Sequence, residues 1–204
     1  MIVYSLEPCI GLHCVRLPDN SGWSWTLVSR MSALLEEAES RYGPRDREWT
    51  PIGIEFGGDG PGTWFPGDRG HIAIRLSADA RCNLAQALFQ LAHEVIHLLS
   101  PSGASSAPAM EEGLATLFSD EVSLRFVADG WFFSSEPAYV YCRDLARTFL
   151  ALHSDGIRTL RTKEPRFHLI TPALINSTFP DVQEELAVAL CEPFRSVQKR
   201  FHPS

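Results

Sequence analysis

Apolar residues recur at three- and four-residue steps in several stretches of the chain, which is the spacing of one face of an α-helix. The pattern predicts long helices over residues 29–42, 83–99, 112–127 and 138–153. After these, prolines divide residues 157–204 into pieces that favour several short helices. The long helices carry apolar residues on one side, so we expect them to pack against a common core.

Apolar and polar residues alternate in shorter stretches, as they do along a half-buried β-strand. This alternation predicts strands over residues 2–6, 13–17, 52–56 and 71–76, with a long loop rich in Gly, Pro and Asp over residues 57–70. Strands that lie mainly in the first part of a chain, with helices after them, are typical of an α+β fold. We therefore expect a small mixed sheet and one helix in the N-terminal part, then an active-site helix and a mainly helical C-terminal part.

The length of 204 residues and a hydrophobic content of 45% suit one domain with a sizeable core. We expect residues 1–100 to hold the sheet and the helix at 83–99, and residues 101–204 to form a helical subdomain. The apolar stretch 131–133 is expected to pack within that subdomain or to face a cleft.

The net charge of the chain is −7 and its arginines are scattered, so the sequence offers no basic patch of the kind that binds nucleic acid. No apolar run approaches the about 20 residues that cross a membrane, and the first residues lack the features of a signal peptide. The five cysteines form no C-x-x-C pair and suit free thiols in a reducing compartment. These features favour a cytoplasmic protein.

The chemistry of the sequence is concentrated in His93-Glu94-Val95-Ile96-His97, a segment of the form H-E-x-x-H that marks zinc proteases. Successive helical residues are rotated by about 100°, so residues four apart lie only about 40° apart around the helix. His93 and His97 can therefore each present a ring nitrogen to one Zn²⁺ ion. Glu94 lies at the edge of the same face, where its carboxylate can take a proton from a water on the metal.

A catalytic zinc site usually has three protein ligands and one open position. Glu112 is the best candidate for the third ligand, because it opens an apolar helix after the loop at residues 100–109 that follows His97. A helix–loop–helix hairpin of this kind can bring Glu112 back over the histidine pair. The alternative is that both histidines are core residues with satisfied hydrogen bonds.

The motif H-E-x-x-H followed by E-G-x-A, here residues 112–115, resembles the gluzincin metallopeptidases, which include thermolysin-like proteases and zinc aminopeptidases. The resemblance implies a zincin-like fold, with zinc held by His93, His97 and Glu112. It gives no ligand role to Glu111, which we expect to be solvated.

The resemblance extends to a tyrosine that stabilises the oxyanion of the tetrahedral intermediate. Tyr141 opens a stretch ending at Gly156 that is similar to the aminopeptidase helix carrying that tyrosine, and a phenol is a suitable donor beside zinc. Tyr139 is the second choice, followed by His153 or His168.

One further role follows from the resemblance and a second from general metal-site chemistry, since the thermolysin-like enzymes have the Asp that contacts a zinc-bound histidine where this chain has Thr116. The strand at 71–76, just before the metal helix, would be the sheet edge to which a peptide substrate adds as an extra strand. Asp120 would accept the free N–H of a zinc-bound histidine, as metal-site carboxylates often do, although an exposed helix position is the alternative. The chain lacks the G-x-M-E-N segment with which aminopeptidases hold a free amine, so endopeptidase action is the default expectation.

The sequence thus predicts a zinc-dependent peptidase that acts on a peptide or protein, with Glu94 as general base. The alternative is a zinc-binding regulatory or interaction module of the same fold without significant turnover. A protease toxin with one cellular target is a third hypothesis.

Overall fold

The computed structural model describes residues 27–58, 60–67, 70–103, 107–126 and 134–202 of the chain. In chain order its helices and strands are α1 (Leu27–Tyr42), β1 (Thr50–Phe56), β2 (Gly62–Trp64), β3 (His71–Leu76), α2 (Leu84–His97), α3 (Ala109–Phe126), α4 (Pro137–Leu152), α5 (Gly156–Lys163), α6 (Pro172–Thr178), α7 (Glu184–Cys191) and α8 (Phe194–Phe201).

These elements make a mixed α and β structure that is mostly helical, with a small mixed sheet. The expected α+β class is confirmed at this level, and the long helices begin and end within a few residues of their predicted bounds. The strands predicted at 2–6 and 13–17, and the apolar stretch 131–133, lie outside the described residues.

The three described strands are arranged in the order β1-β3-β2, with β1 parallel and β2 antiparallel to β3. The strand His71–Leu76 is therefore central and bonded on both sides, so the expectation that it forms a free edge is wrong. The edge on the antiparallel side is β2, which pairs from Gly62 opposite Arg75 to Trp64 opposite Ala73.

Helix α2 crosses the molecule beneath this sheet and contacts both β2 and β3. The side chain of Asn83 accepts a hydrogen bond from the backbone of Gln86 and caps the first turn of the helix. Its predicted apolar face is buried at Leu88, Leu91 and Val95. Because that face is anchored in the core, the opposite edge of the helix is free to present polar groups.

Helix α3 lies between α2 and α4 and packs against both of them. Its contact with α4 is unusually close at Gly113, because a Cβ atom built on that glycine would lie 2.2 Å from the carbonyl oxygen of Cys142 and 3.0 Å from the Cβ of Ala146. Only a residue without a side chain allows the two backbones to approach in this way.

The largest apolar cluster joins residues from α1 to α7 and includes Phe118, Phe149 and Phe167 as large, fully buried side chains.

Of the cysteines that the structure describes, Cys142 and Cys191 are free thiols, whereas Cys82 is disulfide-bonded. The expectation that every thiol is free is therefore not met. Within the described ranges, none of the helices is both long and apolar enough to cross a lipid bilayer.

Arg161 on α5 is buried, with 4% of its surface exposed, and its guanidinium group donates to five backbone carbonyls. The acceptors lie at the end of α1, beyond the end of α2 and just after α5: Tyr42, Gly43, Pro44, Leu99 and Pro165. Burial lowers the pKa of Arg161 to about 10, which leaves the group charged at neutral pH. One side chain thus joins the C-terminal ends of the first helix and of α2.

We expect Arg161→Lys to lower the free energy of unfolding by about 2 kcal/mol, measured by urea denaturation. Lysine keeps the charge but has three donors on a single nitrogen, so it cannot reach carbonyls arranged around a planar guanidinium. Arg158→Lys is the matched control, because Arg158 is exposed on the same helix. Equal stability of the two variants would contradict a structural role for the Arg161 hydrogen bonds.

Candidate metal centre

Two imidazoles lie one helical turn apart at the C-terminal end of α2. The ring centroids of His93 and His97 are 5.2 Å apart, and the rings meet edge to face. Potential metal-binding atoms of His93, Glu94 and His97 all lie within 4.8 Å of one another. The sequence prediction that these three residues share one place in the structure is therefore met by the geometry.

Glu112 approaches this group from the first turns of α3. Its Oε2 atom is 3.3 Å from Nε2 of His93, and its Oε1 atom is 3.8 Å from Nε2 of His97. Two donor atoms that each bind Zn²⁺ at about 2.0–2.1 Å in a tetrahedral site are separated by about 3.3 Å. Each oxygen of Glu112 thus lies near one imidazole nitrogen, at a distance close to that between two ligands of one metal ion.

The charges around Glu112 favour its ionised form. Burial raises the pKa of this carboxyl, but the neighbouring His97 and His93 outweigh that effect and lower the pKa overall. Its Oε2 atom is buried and has no well-aligned hydrogen-bond donor among the described residues, although Nε2 of His93 lies 3.3 Å away. A buried carboxylate oxygen without a hydrogen-bond donor is an unsatisfied acceptor that a cation would complete.

Glu94 is buried beside the two histidines and faces the same cavity. Burial raises the pKa of its carboxyl, the carboxylates of Glu112 and Glu111 reinforce the shift, and the two histidines oppose it. A carboxylate whose proton affinity is raised in this way is suited to accept and return a proton.

Glu111 corrects one of our expectations. It is not solvated but buried, with 2% of its surface exposed, and its Oε1 atom lies 2.8 Å from Nδ1 of His97. That contact orients the ring so that Nε2 faces Glu112, as carboxylates behind metal-bound histidines do. Burial lowers the pKa of His97, but Glu112 and the hydrogen bond to Glu111 outweigh it and raise the pKa to about 10. The negative potential that attracts a proton here would also attract a metal cation.

Asp120, which we considered as the partner of a histidine, does not reach either of them. It is buried rather than exposed and forms an ion pair with Arg143 on α4, with 3.0 Å between Oδ2 and Nη1. Both interpretations of Asp120 are therefore wrong, since it links α3 to α4 and leaves the histidine contact to Glu111.

The two candidate tyrosines lie in different environments. The ring of Tyr141 packs against Phe201, with centroids 5.8 Å apart, and Arg200 lies over its face. The ring of Tyr139 instead meets His93 edge to face, at 5.6 Å between centroids, and lines the cavity beside it. The structure thus does not bring Tyr141 to the cluster, whereas it places the second choice there.

The side chains of His153 and His168 also stay away from the cluster. His153 stacks on Phe179, at 4.2 Å between centroids, and its Nε2 atom lies 3.2 Å from Asp181. His168 belongs to the short 3₁₀ turn at Phe167–Leu169. Neither histidine lines the two cavities described below.

Two adjoining cavities open in front of the cluster. The first measures about 230 Å³ and is bounded by the histidines, by all three glutamates and, on the other side, by Gly62 and Thr63 of β2. The second measures about 340 Å³ and extends from His93 and Glu94 towards Phe89 and Thr116. Tyr139 lines both of them. The potential metal-binding atoms therefore face space that a ligand can enter.

Comparisons with protein-family models, with curated proteins and with solved structures found no match.

For two residues of this site the sequence gives a different expectation, since it predicts a solvated Glu111 and ranks Tyr139 behind Tyr141. The signal for Glu111 was its position directly before Glu112 in the first turn of a helix that faces the histidines. The signal for Tyr139 was its place in the first turn of α4. Tyr141 lies about 200° further around the same helix, so the two rings cannot face the same cavity.

Proposed function

We propose that the protein is a zinc metallopeptidase of zincin-like fold that hydrolyses peptide bonds, as the resemblance to gluzincins implies. The observation that carries the proposal is the convergence of His93, His97 and Glu112 on one wall of a cavity that Glu94 also lines. Structural zinc sites are closed by four protein side chains, whereas catalytic sites keep one side open.

The donor set fits zinc. Two imidazole nitrogens and one carboxylate are a common ligand set for catalytic Zn²⁺, and Glu112 carries the unsatisfied oxygen that such a ligand needs. When bound, the metal would polarise the scissile carbonyl and lower the pKa of a water molecule. Glu94 also lies near the histidines, but it follows His93 directly on α2 and remains free for proton transfer if Glu112 is the third ligand.

Two residues of the chain would carry the proton and charge movements. Glu94 takes a proton from the attacking water and returns it to the leaving amine, a step for which its buried position raises its basicity. Burial, reinforced by Glu112 and Glu94, raises the pKa of the Tyr139 phenol, so the phenol stays protonated. In this proposal Tyr139, rather than Tyr141, donates a hydrogen bond to the oxyanion.

The substrate would lie along β2. Among the described strands β2 is an edge of the sheet, and its residues Gly62 and Thr63 line the first cavity together with the histidines. An extended peptide can hydrogen-bond to such an edge as an added strand. No lysine or arginine is among the described residues that line either cavity, so this part of the site offers no anchor for a terminal carboxylate. We therefore propose cleavage within a peptide.

Metal content tests the ligand assignment. We expect one zinc per chain in the wild type, measured by plasma mass spectrometry after dialysis. Glu112→Gln should lose the metal under conditions in which Glu111→Gln retains it. The Glu111 variant should bind zinc about 10–100-fold less tightly than the wild type, because only the orientation of His97 is disturbed. Both variants replace a buried glutamate on the same turn of α3, which makes them a matched pair. Full zinc content in the Glu112 variant would overturn the assignment of Glu112 as a ligand.

A further inference from the structure

The chain between residues 192 and 202, here called the C-terminal segment, contacts the two helices that carry the second half of the site. It pairs with the start of α3 through two backbone hydrogen bonds. Ala109 donates to the carbonyl of Glu192 at 2.8 Å, and Phe194 donates to the carbonyl of Ala107 at 2.9 Å. Because α3 begins at Ala109, this pairing fixes the backbone one turn before Glu112.

The same segment contacts the start of α4. The ring of Phe194 is buried and lies 4.7 Å from the ring of Tyr139, which meets His93 on another side. Glu136 caps α4 by accepting from the backbone N–H of Tyr139, and it also binds Nε2 of His202 at 2.7 Å. The C-terminal segment thus contacts the ring of Tyr139 directly, through Phe194. It reaches the backbone of Tyr139 indirectly, because His202 binds Glu136.

These contacts form a second, smaller apolar cluster. Its buried members are Ala109 on α3, Ala138 and Cys142 on α4, and Phe194 and Val197 on α8. The C-terminal segment therefore holds the first turns of α3 and α4 together at the edge of the cavity.

We propose that Phe194 is a positioning residue, which fixes the phenol of Tyr139 against His93 so that its hydroxyl points into the cavity. The inference rests on the proposed function, since it assigns Phe194 to the residue that would stabilise the oxyanion. A donor must be held to within about 0.5 Å of its working position, and its supporting packing provides that precision. Without the Phe194 ring, the phenol gains space on the side away from His93.

The kinetic test is Phe194→Leu, compared with Phe201→Leu on the same helix. Phe201 packs on Tyr141, which does not line the cavity. We expect Phe194→Leu to lower kcat on a fluorogenic peptide by about 10-fold with little change in KM, because the lost interaction is made mainly in the transition state. Zinc content should equal that of the wild type, and Phe201→Leu should leave kcat unchanged. Equal kcat values for the two variants would overturn the proposal.

A double-variant cycle separates positioning from general weakening of the fold. Once Tyr139→Phe has removed the hydroxyl, adding Phe194→Leu should lower kcat no further. An additive loss would show that Phe194 acts by another route. If the leucine variant does not fold, as judged by thermal unfolding, Phe194→Met keeps more of the side-chain length and takes its place.

A spectroscopic measurement is independent of turnover. The chain has four tyrosines, so 3-fluorotyrosine labelling gives fluorine NMR signals that Tyr→Phe variants assign. In the zinc-loaded protein, Phe194→Leu should shift or broaden the Tyr139 signal, and Phe201→Leu should do so only for Tyr141. An unmoved Tyr139 signal would overturn the positioning role whatever the activity. If Phe194→Leu moves the Tyr139 signal but the wild type cleaves no peptide, the positioning role is supported and the proposed function is rejected.

Discussion

Replacing Glu94 with glutamine should lower kcat for peptide hydrolysis by about 10²–10⁴-fold, the usual contribution of a positioned general base. Glutamine has nearly the same shape and can still fill the buried wall of the cavity, but its amide cannot accept a proton from water. Because the proposed metal donors are His93, His97 and Glu112, zinc content should remain that of the wild type. The measurement is kcat on a fluorogenic peptide, with zinc determined on the same preparation.

The matched control is Glu185→Gln, an exposed glutamate in the first turn of α7, which should leave both quantities unchanged. Two other outcomes are informative. Loss of zinc from the Glu94 variant would make Glu94 a ligand, in conflict with its role as base. A wild type that binds zinc but cuts no peptide would favour the alternative, a zinc-binding module without significant turnover.

Gly113→Ala should destabilise the protein by about 3 kcal/mol or more, at the upper end of the range for overpacked cores. The added methyl group would lie 2.2 Å from the carbonyl oxygen and 2.7 Å from the carbonyl carbon of Cys142. Both are backbone atoms of α4, so no side-chain rotation relieves the clash and the two helices must separate. Such a loss is a large part of the about 5–15 kcal/mol that stabilises a typical domain. Urea denaturation measures it.

The separation should also disturb the metal site, because Gly113 follows Glu112 directly on α3. We therefore expect Gly113→Ala to bind zinc less tightly than the wild type under conditions in which both are folded. Gly57→Ala is the control, since a Cβ atom at Gly57 meets nothing within 4 Å. A Gly113 variant as stable as this control would show that the approach of the two helices is less strict than the structure indicates.

The helix that carries the histidine pair and the helix that carries Glu112 could be predicted because local patterns determine them. The i and i+4 spacing places His93 and His97 on one face whatever the rest of the chain does, and the apolar run after Glu112 indicates the second helix. The long helices were predictable for the same reason, since each shows a clear 3.6-residue period.

The parts that could not be predicted depend on contacts between distant residues. Glu111 and Tyr141 illustrate this, because a glutamate in the first turn of a helix and a tyrosine on an apolar face have the same local pattern whether they face solvent, the core or a cavity. The crossing of α3 over α2 decides that Glu111 meets His97, and the rotation of α4 decides that Tyr139 faces His93. The strand β2 was missed because three residues are too few to show alternation.

The hydrogen bonds of Arg161 have a consequence for the behaviour of the histidine pair. The ends of helices commonly fray, and His97 is the last residue of α2, so an isolated copy of this helix would hold that ring on its least ordered turn. Here the guanidinium of Arg161 binds the carbonyl of Leu99 from 62 positions further along the chain. Opening of that terminal turn then requires rupture of contacts with α1 and α5, which ties its local unfolding to the rest of the molecule.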